Sequence, residues 1–234
     1  MRVIIAASEG DDPKWANHLG VPKQLAPLHG APLLAHTIDQ AVSMCDDVHV
    51  TLPDDPRYDV LSGLPGITRH VRAGDYPSEY ASTRDLWSTD DRTVLLLGDV
   101  YFTPEAISTI AGTPDRGIRI FGREGASRHT GSDWGAVFAT SFWPEHHAEL
   151  DRYLTDVHYE HAVGHCLRPP GWMLLCAVQG TPWEVHTVQA PWFVEIDDLT
   201  DSIDRAVDYA RHPVFDFRRR GAVVTPSFTA PRGS

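Results

Sequence analysis

Eighteen of the twenty basic residues are arginine, and the two lysines, Lys14 and Lys23, both fall in one loop-like segment after the first apolar run, Val3-Ile4-Ile5-Ala6-Ala7. A loop leaving a buried strand can aim backbone N–H groups at a phosphate, and an ammonium held beside it neutralises phosphate charge without bidentate geometry. Lys23, fixed behind Pro22, suits that role. The competing reading is a solvated surface lysine, the ordinary fate of this residue type. His158, His161 and His165 form a second grouping, spaced i, i+3 and i+7 as on one helix face, the pattern of a metal cluster. Gly164 and the lack of a carboxylate at ligand spacing favour a polar surface helix or turn instead. The segment from Phe121 to Phe138 is rich in Gly, Ser and Arg. It reads as a specificity loop with Arg123, Arg128 and Asp133 as acceptor-side contacts, and equally as a solvated loop.

Side chains of this kind act only if a scaffold brings them together. The run Val3 to Ala7 has the pattern of a strand buried on both faces of a parallel sheet. Helical spacing from Pro32 to Met44 follows, then strands at Val48–Leu52 and Thr68–Arg72 with a short helix at Pro56–Leu61 between them. A helix at Glu79–Trp87 leads to the most apolar strand, Thr93–Leu97, which stops at Gly98-Asp99. Pro104–Ala111 reads as a helix and Gly117–Phe121 as a strand. The later part predicts a strand at Trp134–Phe142, a helix at Pro144–Thr155, strands at Trp172–Val178 and Trp183–Val188, and a last helix at Leu199–Arg211. Such alternation argues for an α/β fold, three layers α/β/α around a mostly parallel mixed sheet, with ligands beyond the carboxyl ends of the strands. We read residues 1–215 as one unit, with a nucleotide-type half to residue 125 and an acceptor-type half from 126. The stretch 216–234 is expected to be a partly mobile tail.

Composition narrows the function classes. Thirty-two acidic residues against twenty basic give a formal charge of −12, which disfavours general nucleic-acid binding. No stretch approaches the ~20 apolar residues of a membrane span, and "MRVIIAASEG" carries no cleavage-site pattern, so the expectation is a soluble cytoplasmic protein without a membrane partner. Cys45, Cys166 and Cys176 form no C-x-x-C pair and are read as reduced thiols. A homo-oligomer is left open.

The segment "VIIAASEGDDPKW…GVPKQLAPLHGAPLL" (Val3 to Leu34) resembles the start of the nucleotidyltransferases of the GT-A-like, Rossmann-like fold, among them sugar-phosphate nucleotidyltransferases and the methylerythritol-phosphate and phosphocholine cytidylyltransferases. Pro22-Lys23, Pro27, Gly30 and Pro32-Leu33-Leu34 match in order and spacing. "VLLLGDVYF" resembles the family strand that ends in Gly98-Asp99, and "WFVEIDDLTDSIDRA" resembles its late acidic strand-to-helix element.

The resemblance implies a transferase that moves an NMP from an NTP to a phosphorylated small molecule and releases pyrophosphate. It implies Mg²⁺ or Mn²⁺ on Asp99, Glu195 and Asp197, with Asp197, Asp198 and Thr200 alternatively an N-cap region. Magnesium takes one or two carboxylates plus substrate phosphates, and strand residues two apart share a face. Lys23 and Lys14 become the catalytic cations, and Ala6, Ala7, Ser8, Gly10, Ser82, Thr83 and Gly98 the nucleotide contacts. Ser8 stands where the family has glycine, and Asp11-Asp12 where it has arginine, so Lys14 takes over the basic role. The other readings are a GT-A glycosyltransferase using a nucleotide-sugar, which would show Asp-x-Asp where this chain has Asp99-Val100-Tyr101, and a catalytically diverged nucleotide-binding protein.

Overall fold

A computed structural model describes residues 1–8, 13–16, 18–74, 76–114 and 116–215. The expected tail at 216–234 lies outside the described residues, as does Gly10 with the acids Glu9, Asp11 and Asp12. In chain order the regular elements begin with β1 (Arg2–Ala6), a small hairpin β2 (Pro27–Leu28) and β3 (Ala31–Pro32), then α1 (Leu33–Met44), β4 (Val48–Pro53) and β5 (Ile67–Arg72). They continue with β6 (Thr93–Leu97), β7 (Val100–Tyr101), α2 (Pro104–Gly112), β8 (Arg119–Arg123) and β9 (Ala136–Phe142). The last are α3 (His147–Ala162), α4 (Pro170–Gln179), β10 (Phe193–Glu195), β11 (Asp201–Ser202) and α5 (Ala206–Arg211).

Seven strands form one sheet in the order β10-β8-β9-β6-β1-β4-β5. Every neighbouring pair is parallel except the two that β9 makes, with β6 and with β8, so the sheet is mixed through this single reversed strand. The period-2 geometry of β1 explains its unbroken apolar run: Val3 and Ile5 enter the core under α1 and α2, while Ile4 and Ala6 enter the core that includes Leu150 of α3 and Trp172 of α4. Three layers α/β/α result.

Two expectations for the later chain are corrected. Trp172–Val178 is helical, within α4, not a strand. A short apolar run is ambiguous between buried strand and buried helix, and here the ends decide: Pro170 occupies the first turn and Gly180 closes the helix in the left-handed region (φ 68, ψ 31). Trp183–Val188 is not a strand either. Its carbonyls are taken by a side chain rather than by a ladder, since Arg168 donates to Trp183 O at 2.8 Å and Val185 O at 2.9 Å.

The expected last helix also shortens, to Ala206–Arg211, because residues before it pair with the strand after Asp99. Asp201 lies opposite Tyr101 and Ser202 opposite Val100, and Ile203 N–H donates to Asp99 O at 2.9 Å.

Gly98 lies where the exits of β1 and β6 touch. Its N–H donates to Ala6 O at 2.9 Å, and a Cβ there would stand 2.5 Å from Ala7 Cβ. Gly98→Ala must push the two strand exits apart, an overpacking strain worth about 1–3 kcal/mol. Urea denaturation should show that loss of stability, and an unchanged midpoint would mean that the exits yield freely.

Candidate active site

A cavity of about 520 Å³ opens beyond the carboxyl ends of β1 and β6, lined there by Ser8, Leu97 and Asp99. Because β9 runs in reverse, its first residues, Ala136 and Val137, reach the same edge. This is the crevice that open α/β sheets offer to ligands.

Its charged end is built from three elements. Pro22 leads into a tight 3-10 turn over Lys23–Leu25, which carries Lys23 inward until only 4 % of its side chain is exposed. Lys23 Nζ lies 2.7 Å from Asp99 Oδ2 and 3.7 Å from Asp204 Oδ1. The solvated-lysine reading therefore fails for Lys23. Asp99 Oδ1 is buried and has no hydrogen-bond partner among the described residues. Asp204 faces the cavity with 46 % of its side chain exposed, yet protein surrounds it closely enough that its carboxyl is pushed up to about 6. Burial is the main cause and the Asp99 charge the next, with Lys23 and Lys14 opposing. Lys14 is exposed and also lines the cavity.

The three carboxylates expected to share a cation do not assemble. Among the described residues no group of three or more His, Cys, Asp or Glu is placed to hold a metal. Glu195 is exposed and accepts from the Glu124 backbone N–H at 3.1 Å; partial burial pushes its carboxyl up. Asp197 is exposed and pairs with Arg128. Asp198 accepts from the N-cap hydroxyl of α2, Thr103 Oγ1, at 2.5 Å and from Thr200 N–H at 2.7 Å, the turn-capping role. Asp201 is buried against Arg123 at 2.9 Å, which makes Arg123 an anchor of the 123–132 loop rather than an exposed acceptor contact. Asp204 is the member of this acidic run that reaches Asp99. It was hidden inside the expected helix Leu199–Arg211, and its signal is the strand period, since Ser202 and Asp204 both line the cavity.

The expected nucleotide contacts also separate. Ala6 and Ala7 are fully buried, and Ala7 N–H is engaged by Thr51 O at 3.1 Å, so Ser8 is the residue of that trio that lines the cavity. Gly98 serves strand packing. Ser82 and Thr83 are buried in a 3-10 turn over Ala81–Leu86, where their hydroxyls donate to Glu79 O at 2.7 Å and Tyr80 O at 2.8 Å. The residues just before them, from Tyr76 to Tyr80, line the cavity instead. Arg128 and Asp133 are exposed and outside the lining.

Residues 3–139 match the family model of the MobA-like NTP transferase domain, more than half of the chain and the part that carries Lys23 and Asp99. The chain belongs to this family. It is thereby an enzyme of the nucleotidyltransferase class. The fold is shared with a Bacillus anthracis protein named for glucose-1-phosphate thymidylyl transfer, at TM-score 0.58 and 14 % identity over 89 % of this chain and 92 % of that one. It is shared with Rv0371c from Mycobacterium tuberculosis H37Rv, at 0.54 and 20 % over 90 % and 95 %. It is also shared with the inositol-1-phosphate CTP transferase of T. maritima, at 0.53 and 12 % over 88 % and 90 %. No curated protein matches the chain.

Removing the Lys23 charge strands a buried carboxylate. Lys23→Met should lower the stability of this transferase by about 3 kcal/mol, and adding Asp99→Asn should recover most of it, because the uncompensated charge is then gone. A urea-denaturation cycle over the four proteins measures the coupling, and additive losses would show that the pair is not energetically linked.

Proposed function

We infer that the chain moves a nucleotidyl group from an NTP to a phosphorylated small molecule, a sugar or alcohol phosphate, with release of pyrophosphate and dependence on a divalent cation. The observation that carries this reading is one buried lysine set between two carboxylates at the crevice edge. Two acids face one buried ammonium, and Asp99 Oδ1 stands buried with no hydrogen-bond partner among the described residues. That donor set fits Mg²⁺ or Mn²⁺, which accept one or two carboxylates and complete their shell with substrate phosphates. Asp99 and Asp204 would hold the ion, which when bound would neutralise phosphate charge as a Lewis acid.

The chain's own groups supply the rest. Lys23, on a rigid turn, directs its ammonium at the phosphates, and Lys14 adds a second charge from the cavity rim. A phosphorylated acceptor arrives already anionic, so its oxygen can attack the α-phosphorus in line while pyrophosphate leaves, and no side chain need be a nucleophile or base. Catalysis is then positional and electrostatic. We place the protein in the cytoplasm and treat residues 1–215 as one catalytic unit. Among the described residues no helix is long and apolar enough to cross a membrane.

NTPs and nucleotide-sugars tested by calorimetry with and without Mg²⁺ decide between donor classes. NTP binding that strengthens with Mg²⁺ is the expected result, and binding of nucleotide-sugars alone would overturn the reading. Asp99→Asn and Asp204→Asn should each lower turnover by roughly 100-fold or more, whereas Glu195→Gln stays close to the parent. Loss of activity in Glu195→Gln with Asp204→Asn unaffected would return the site to the carboxylates expected from the sequence.

A further inference from the structure

The histidine face at 158, 161 and 165 divides three ways. His165 pairs with Glu160 at 2.9 Å, and His161 is exposed at the cavity. His158 turns inward from α3, half-buried, and sets Nε2 2.6 Å from Ser78 Oγ. Burial holds this imidazole below its ordinary pKa, aided by the charges of Arg84 and His161. Ser78 lines the same cavity as Lys23, Asp99 and Asp204. Its oxygen also meets the Ala81 N–H at 3.4 Å. A hydroxyl on a wet cavity wall ordinarily turns freely, whereas this one is fixed by partners from two parts of the chain. Fixing a polar group by supporting contacts is how a binding site presents it in one direction.

The charge distribution says what such a group can meet. Lys14 and Lys23 are the permanent cations among the described residues that line the cavity, and both act on the carboxylate end. The chain on either side of Ser78 lines the cavity with Tyr76, Pro77, Glu79 and Tyr80, and Leu167 and Trp172, beyond α3, line the same cavity. No arginine or lysine among the described residues lines that part, so a second phosphate has no counter-charge there. An uncharged body with a hydrogen-bonding edge does have a partner.

We propose that Ser78, held in place by His158, reads an uncharged hydrogen-bonding edge of the bound substrate and sets the specificity of the site. The proposal rests on the nucleotidyl-transfer reading and adds the class of group that is read. Two sources carry that chemistry, the edge of the nucleobase and the hydroxyl-bearing body of the acceptor. His158 acts through Ser78 and is a positioning residue.

Calorimetry on the full chain tests this with Mg²⁺ and each of ATP, CTP, GTP and UTP, and then with glucose 1-phosphate against inorganic phosphate at a saturating nucleotide. Ser78→Ala and His158→Ala should each narrow one of the two preferences by roughly tenfold, the worth of one hydrogen bond. Ser78→Thr and His158→Gln, which keep a hydrogen-bonding group, should retain most of it. Narrowing among the four NTPs assigns the base, and narrowing between sugar phosphate and phosphate assigns the acceptor. A lowered Tm with both preferences intact would make the pair a structural staple and overturn the inference. A parent that binds NTP but prefers none of these probes would overturn it equally, with the function reading left standing. A parent that binds no NTP would overturn both.

Discussion

Lys23 sits with 4 % of its side chain exposed, 2.7 Å from Asp99 and 3.7 Å from Asp204, and an ammonium buried so deeply is tolerated only while its counter-charges stay in place. Two carboxylates around one ammonium make the cluster negative. Burial first and the Asp99 charge second raise the pKa of Asp204, and Asp99 Oδ1 has no hydrogen-bond partner among the described residues. Replacing buried ion clusters by apolar side chains is often neutral or stabilising, because desolvating ions is costly. Retention of this cluster at the crevice edge is therefore best explained by what it binds.

Holding three charges from distant parts of the chain within a few ångströms requires matched backbone. Lys23 is placed by its 3-10 turn and Asp99 by the end of β6. Asp204 is placed by β11, which pairs with β7 immediately after Asp99. Behind Asp204, Arg205 and Asp208 form a capping box that starts α5. Tyr209 of the same helix packs edge-on against Trp15, whose indole N–H donates to Val21 O at 2.7 Å. The loop bearing Lys14 and the segment after β11 that bears Asp204 thus share one small core with Leu28 and Leu33, so a shift of either is felt by the other.

The long strands and the α-helices of the first 123 residues were legible because each has one dominant signal, whereas the short strands β2, β3 and β7 were not foreseen and the helix expected at Glu79–Trp87 is a 3-10 turn over Ala81–Leu86. Apolar runs buried on both faces mark β1 and β6, and the proline start and the Ala106-Ile107-Ile110 face mark α2. Lys23 and Asp99 were found through the family resemblance of the segments around them, Pro22-Lys23 and Gly98-Asp99. Beyond residue 140 the signals compete. The Trp172–Val178 run suits either period, and only Pro170 and Gly180 settle it. The acidic stretch from Glu195 to Asp208 offers six carboxylates, and sequence order cannot say which one faces the cavity, because that depends on β11 pairing with β7 across about a hundred residues. Ser82 and Thr83 show a related effect, since hydroxyls near a crevice can be engaged by their own turn, as theirs are by Glu79 O and Tyr80 O.

The division of labour inside the cavity follows from the same geometry. The family match ends at residue 139 and includes Lys23, Asp99 and Ser78, whereas Asp204 and His158 lie after it. Each later residue completes an earlier one: Asp204 adds the second carboxylate to Asp99, and His158 fixes the hydroxyl of Ser78. The carboxylate end carries charge that any triphosphate can use, so it is indifferent to which base or sugar is attached. On the proposed reading, discrimination comes from the rest of the lining, where a missed hydrogen bond leaves a fixed polar group unpaired and the wrong ligand is rejected. On the proposed reading, chemistry and selection occupy different parts of one cavity, and a residue that changes the choice of substrate need not touch the charges that transfer the nucleotide.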